Sequence, residues 1–169
     1  MAKKQNDDNE VLQNGQAPQY GMVVHSQYIK DFSFENPNAP ETLAGGQGMP
    51  QMDANINMQA IVLDAEKRLF EVVMTVSASA KRDDKTLFMA EVQYGIAASV
   101  SESIPEEHRH PLLLIEGPKM AFPFVRQILA NAIQAGGYPP LLLQPVNFEE
   151  LYRAQYLSQQ GDGDKAKEA

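Results

Sequence analysis

The sequence predicts an α+β fold, a four-stranded antiparallel sheet with two main helices packed on it. Three observations carry that prediction. Four segments between residues 23 and 100 alternate apolar with polar side chains or are dense in β-branched residues. Helical spacing appears only from residue 122 onward. The strands therefore all precede the helices, instead of alternating with them as a parallel sheet requires.

The first strand is read over Val23–Glu35. Val24, Tyr28, Phe32 and Phe34 fall on even positions, whereas His25, Gln27, Asp31, Ser33 and Glu35 fall on odd ones. Asp31 and Glu35 thus belong to the wet face of a half-buried strand. The stretch "NPNAPETLAGGQGMPQ" (36–51) follows, with three prolines, three glycines, and Leu43 and Met49 as its large apolar groups. Loops of that length are usually functional or mobile. In the second strand Met52, Ala54, Ile56 and Met58 interleave with Asp53, Asn55 and Asn57. Phe70–Ala80 and residues 86–100 flank the charged turn "KRDDK" and read as a hairpin. Parity in its second strand sets Met89 and Glu91 on one face and Phe88, Ala90, Val92 and Tyr94 on the other. "FPFVRQILANAIQAGG" supplies Pro123 near a helix start, apolar residues at helical spacing and Gly136 as a stop. "NFEELYRAQYLSQQG" places Asn147 at an N-cap with Glu150 three residues on, a capping-box arrangement. Between these helices Leu141, Leu142 and Leu143 are fenced by Pro139, Pro140 and Pro145, which deny the segment regular hydrogen bonding. The leucines are expected to tie the helical layer to the sheet.

Composition narrows the function. Twenty-two acidic against fourteen basic residues give a formal charge of −8 and a pI near 4.8, which argues against nucleic acid and for solubility or basic partners. Without cysteine there is no disulfide framework and no thiolate nucleophile, as suits a reducing cytosol. The first twenty residues lack the apolar core of a secretory signal. The longest uncharged run, 127–148, is broken by glycines, prolines and amides, so direct membrane insertion is not expected. The chain divides into a disordered or weakly ordered segment (1–20), a single domain (21–160) and a flexible polar tail (161–169).

Catalytic and metal signals are weak. His108 and His110 stand at an H-x-H spacing beside Glu106 and Glu107, but no further ligand cluster accompanies them, and a solvated turn explains them. Gly45, Gly46 and Gly48 lack the Lys-Ser/Thr that completes a P-loop. No serine sits in a nucleophile elbow. No enzyme, cofactor or metal is implied. Eight methionines are more informative, because Met49, Met52 and Met58 lie in and just after the long loop. An unbranched thioether adapts to apolar partners of varied shape, although the same residues could simply fill a core.

Several ordered segments bring a resemblance: "YIKDFSFENPNAP" (28–40), "FEVVMTVSA" (70–78), "LFMAEVQYGI" (87–96) and "AFPFVRQILANAIQAGGYPPLLLQPVNFEELY" (121–152). In this order and spacing the chain resembles the SecB protein-export chaperones of bacteria. The resemblance implies a homotetramer built as a dimer of dimers. It also implies a cytoplasmic, ATP-independent chaperone that holds unfolded precursors and passes them to the SecA ATPase. Position by position, Ile56, Met58 and Leu157 match residues of the family's client groove. Leu43, Met49, Met52 and Tyr138 are added to it from loop composition. The family's SecA-binding face falls on Asp31, Glu35, Met89 and Glu91, and positions that influence how dimers pair fall on Ala90, Val92 and Tyr94. The chain departs from the family pattern in having no tryptophan and in carrying Ala97 where an aromatic is common. Two rival classes remain: an oligomeric interaction module or general holdase not dedicated to export, and an enzyme whose pocket the sequence does not reveal.

Overall fold

In the computed structural model, residues 21–45 and 48–157 are described; the polar segments expected at 1–20 and 161–169 lie outside them. Four strands, β1 (Met22–Glu35), β2 (Gln51–Asp64), β3 (Leu69–Arg82) and β4 (Lys85–Val100), precede a long helix α1 (Glu106–Ala135) and a short helix α2 (Phe148–Tyr152). The α2 helix continues as a wider π-helical turn, Arg153–Leu157. All strand pairs are antiparallel, in the order β1-β4-β3-β2.

Local chemistry explains the hairpin at the centre. The two-residue turn Asp83–Asp84 has φ of 48° and 61°, a left-handed pair that matches the twist of the strands it joins. Because β1 and β2 form opposite edges, residues 36–50 must cross the end of the sheet. A 3-10 turn at Glu41–Ala44 shortens that crossing. Three side chains pin it: Asn38 donates to the Thr86 carbonyl at 2.8 Å, Asn36 donates to the Gly136 carbonyl at 2.9 Å, and Lys85 pairs with Glu41 at 2.5 Å.

The core lies on one face. A Cβ at Gly117 of α1 would touch Val72 and Ile96 at about 3.5 Å, so the helix rests directly on β3 and β4. Even-numbered residues of those strands, including Val72, Met74, Val76, Val92 and Ile96, meet Leu113, Leu114, Val125 and Leu129 there, all almost fully buried. Each such side chain contributes roughly 2 kcal/mol relative to exposure. This burial overrides the local sequence of α1. The expected helix start near Pro123 is corrected to Glu106, and Pro111, Pro118 and Pro123 all lie inside the helix. Each proline removes one backbone hydrogen bond, a cost the packed face offsets. His108 and His110, expected in a solvated turn, therefore stand in the first turns of α1.

The simple alternation expected for β1 is also corrected. Its register with β4 shifts between Val24 and Ser26 and again between Ile29 and Asp31. Residues that pair across the ladder share a face. Tyr28, opposite Gly95, thus lies on the open face with Asp31, opposite Gln93, and not with Phe32, opposite Val92 on the helix side.

Candidate functional site

Two surfaces on opposite faces of the sheet carry the expected site residues. On the helix side, β2 is an edge strand whose even positions Met52, Ala54, Ile56 and Met58 continue the core face outward. Their exposure is graded. Met58 is 1% exposed and Ile56 is half-buried, while Met52 remains open. Met58 is therefore a core residue here, which corrects its assignment to an open groove. The cause is the C-terminal segment, which lies against β2. Gln155 donates to the Ile56 carbonyl at 2.8 Å, and the Tyr156 hydroxyl donates to the Met58 carbonyl.

The remaining predicted groove residues do not form one continuous lining. Met49 is 95% exposed, and Leu43 is open to solvent beside Gly137. Tyr138 is a strut as much as a lining residue. Its hydroxyl lies 3.0 Å from Asn36 Oδ1, 3.1 Å from the Leu87 carbonyl and 2.8 Å from the Thr42 hydroxyl, and its ring packs on Phe88. Leu157 lines a separate cleft of about 360 Å³ between α1 and the C-terminal segment, with Pro111, Leu112, Ile115 and Tyr152.

The leucine run, expected to tie the helical layer to the sheet, packs through two of its three side chains. Within the leucine run, Leu141 packs against the cluster containing Ala80, and Leu143 packs against the main core. Leu142 points outward and is 58% exposed. Met52 pairs with Ala80, a member of the cluster on which Leu141, the chain neighbour of Leu142, packs. Farther along β2, a depression of about 310 Å³ is lined by Ala60, Val62, Phe70, Leu113 and His110. Even parity running on from Met58 was the signal for Val62.

The open face gathers the predicted acidic residues. Asp31 pairs with Gln93, Ser33 with Glu91 and Glu35 with Met89, so Asp31, Glu35, Met89 and Glu91 occupy successive rungs of two strands. A shallow depression of about 230 Å³ joins Ser33, Glu35, Met89 and Glu91 to Asp53, Ser77 and Ser79. Asp53 was legible as the polar partner in the alternation of β2; Ser77 and Ser79 follow from parity in β3. Beside this patch, Glu71 is 6% exposed, accepts from Tyr28 at 2.5 Å and pairs with Lys30 at 2.7 Å. Those bonds hold its carboxyl below the ordinary range, that from Lys30 most strongly; the Tyr28 hydroxyl is pushed up to about 12, chiefly by donating to Glu71.

Ala90, Val92 and Tyr94 lie on the covered face of β4, beneath α1. Their route to the surface is short. Tyr94 stacks on Phe124 at 6.4 Å, and the neighbouring rungs of β1 bring Ile29 and Phe32, both exposed like Phe124, to the same side. Among the described residues, no helix is long and apolar enough to cross a membrane.

The protein thus has a sheet with one helix-covered apolar face and one open face that gathers acidic residues. Comparison with known proteins places it: the family model of SecB, preprotein translocase subunit SecB, matches residues 14–160, and the chain belongs to that family. It is 44% identical over 159 residues to the protein-export protein SecB of Rhodospirillum centenum, covering 94% of each chain. It is 49% identical over 140 residues to that of Maricaulis maris, covering 83% of this chain and 78% of the relative. A SecB-like chaperone of Mycobacterium tuberculosis, solved with a peptide from an antitoxin, shares the fold with a TM-score of 0.61 at 14% identity, over 76% of this chain and 97% of that one.

Proposed function

We propose that this chain is a cytoplasmic, ATP-independent export chaperone that holds unfolded precursor proteins on its helix side and presents its acidic open face to SecA. The observation that carries this reading is the separation of the two surfaces by a single sheet. Exposed Met52 lies on the helix-side face of β2, and exposed Leu142 adjoins Leu141, which packs on the Ala80 cluster, while Asp31, Glu35 and Glu91 lie on the other face, so a precursor held at Met52 leaves the acidic face free. Methionine and leucine side chains bind apolar segments of varied shape without chemistry, so the protein acts by binding and not as an enzyme. One short segment binds weakly at roughly 25 cal/mol per Å² of apolar area, which favours repetition. In a homotetramer, a dimer of dimers, linked segments of one precursor meet later grooves at roughly millimolar effective concentration. The exposed Ile29, Phe32 and Phe124 beside edge strand β1 support such assembly.

The experiment is refolding of a denatured secretory precursor, without nucleotide. The protein should delay refolding, and Met52→Asp with Leu142→Asp should abolish the delay while the oligomer persists. A double variant that still delays refolding fully overturns the groove assignment. A chain that assembles yet leaves refolding untouched is an interaction module. Glu91→Lys should weaken SecA binding and spare the delay; equal loss of both would remove the two-surface reading.

A further inference from the structure

The outer edge of β2 is covered over only part of its length. Ile56 and Met58 turn their carbonyls outward to Gln155 and Tyr156, and the Met58 amide turns outward to the Asn57 carboxamide. Main-chain groups alternate in direction along an antiparallel strand, and the register with β3 runs unbroken from Gln51 to Val62. The N–H and C=O groups of Ala60 and Val62 therefore also point away from the sheet. Among the described residues, none bonds to them. Around these open groups the side chains are apolar: Ile61, Val62 and Leu63 are all exposed. Val62 borders the depression of about 310 Å³ that half-buried Phe70 and buried Leu113 also line. His110 lines it as well and reaches Tyr152 of α2, so the depression adjoins the cover. The register shift that follows Val62 ends the regular edge.

We infer that residues 60–63 are a second docking edge, where an extended apolar segment of an unfolded precursor adds to the sheet as a further strand beside β2. An exposed apolar edge is a liability unless it receives a chain, and an unfolded chain brings the unpaired main-chain groups that Ala60 and Val62 lack. Those bonds are blind to sequence; the side chains supply the preference. Alternate residues of the added strand fall beside Ala60 and Val62, over the depression, while those between them fall beside Ile61 on the open face. Pairing over about four residues buries far less than the roughly 1,200 Å² of a lasting subunit contact, which suits a segment held briefly more than a second copy of this chain. The edge shares its face with Met52, ten positions back and so about 33 Å away, with the cover at Ile56 and Met58 between them. A precursor that occupies both stretches meets the second at roughly millimolar effective concentration. The identity of the occupant rests on the function proposed above; the open edge does not.

The test uses the full-length protein, methyl-labelled, and a short peptide that alternates valine with threonine. The peptide should shift the Val62 and Leu63 methyl signals and slow amide exchange at Ala60 and Val62. N-methylation of one alternate set of its amides should weaken binding several-fold, whereas methylation of the other set, whose amides face water, should not. Equal affinity of the two methylated peptides overturns strand addition. Val62→Asp, at an exposed position that the fold does not need, should weaken the peptide several-fold and shorten retention of a denatured secretory precursor. Met52→Asp should leave the peptide shifts at Val62 in place. Val62 signals that stay still while Met52 responds overturn the second edge and leave the chaperone reading standing. Peptide shifts at Val62 in a protein that delays no refolding uphold the edge and overturn the chaperone reading. If Val62→Asp instead yields smaller species with peptide binding unchanged, the edge is a contact between copies of this chain and the inference falls.

Discussion

The two edges of the sheet are built for different ends. At β2, the carbonyls of Ile56 and Met58 are met by the side chains of Gln155 and Tyr156, so the edge is covered by a short segment of the same chain. At β1, bulges break the ladder, and Ile29 and Phe32 stand exposed beside Phe124. An uncovered edge with apolar neighbours invites another chain, whereas a covered one resists it. The cover on β2 is also light: α2 and its extension span Phe148–Leu157, held by a few side-chain bonds and a group of aromatic rings. In the assembly proposed above, β1 is the edge left open to another chain and β2 the edge covered from within at Ile56 and Met58.

The sharpest way to break this contrast is at its buried end. Met58→Ala should cost about 2–5 kcal/mol of stability, because it opens a cavity under a covered edge, whereas Met52→Ala on the same strand face should cost under about 0.5 kcal/mol. Thermal or denaturant unfolding decides; equal costs would mean that the cover over β2 is not in place in solution. Next in size is Phe32→Asp, aimed at the β1 edge. A charge at a central apolar contact costs about 2 kcal/mol or more of association, so sedimentation should show smaller species with precursor-binding residues untouched. An unchanged assembly would remove β1 from the interface. Smaller again is Asn147→Ala. Its carboxamide oxygen accepts from the Glu149 and Glu150 amides at 3.1 and 3.2 Å, and losing that cap should cost about 1 kcal/mol, read as faster hydrogen exchange confined to α2 and its extension.

How much of this was legible depends on what fixes each feature. β2, β3 and β4 alternate between the helix side and the open face along the stretches concerned, so alternation alone placed Ile56, Met58, Met89 and Glu91 on their faces. In β1 the polar residues Asp31 and Glu35 were placed on the right face, but Tyr28 was not. Its orientation is decided by Glu71, forty-three residues away along the chain, which no local pattern encodes. The start of α1 was hidden for a similar reason: Gly117 and three prolines read as breakers, and only the apolar surface of β3 and β4 makes a helix there favourable. The groove was the least legible part. Whether Met58 is lining or core turns on where residues 148–157 dock, a tertiary fact that strand parity leaves open.

The smallest expected effect concerns that docking and its response to acid. His110 on α1 lies 3.0 Å, through Nδ1, from the Tyr152 hydroxyl, and its ring meets Tyr156 edge-on at 5.0 Å. Tyr156, like Gln155, bonds to β2, so the histidine buttresses the cover. Burial against these rings lowers the affinity of His110 for a proton below the ordinary value of 6.5. As pH falls from 7, His110 takes up a proton more readily when the segment is undocked, so docking is fully stable above about 6.5 and weakens progressively below it. The paired Glu71 carboxylate gives way only in a lower window, below the ordinary 4.5, so the two titrations separate. Hydrogen exchange of residues 148–157 should quicken modestly between pH 7 and 5 while β3 and β4 stay protected, and His110→Phe should flatten that slope. A slope that survives the substitution would assign the acid response to other groups and leave the β2 cover without a pH-sensitive support.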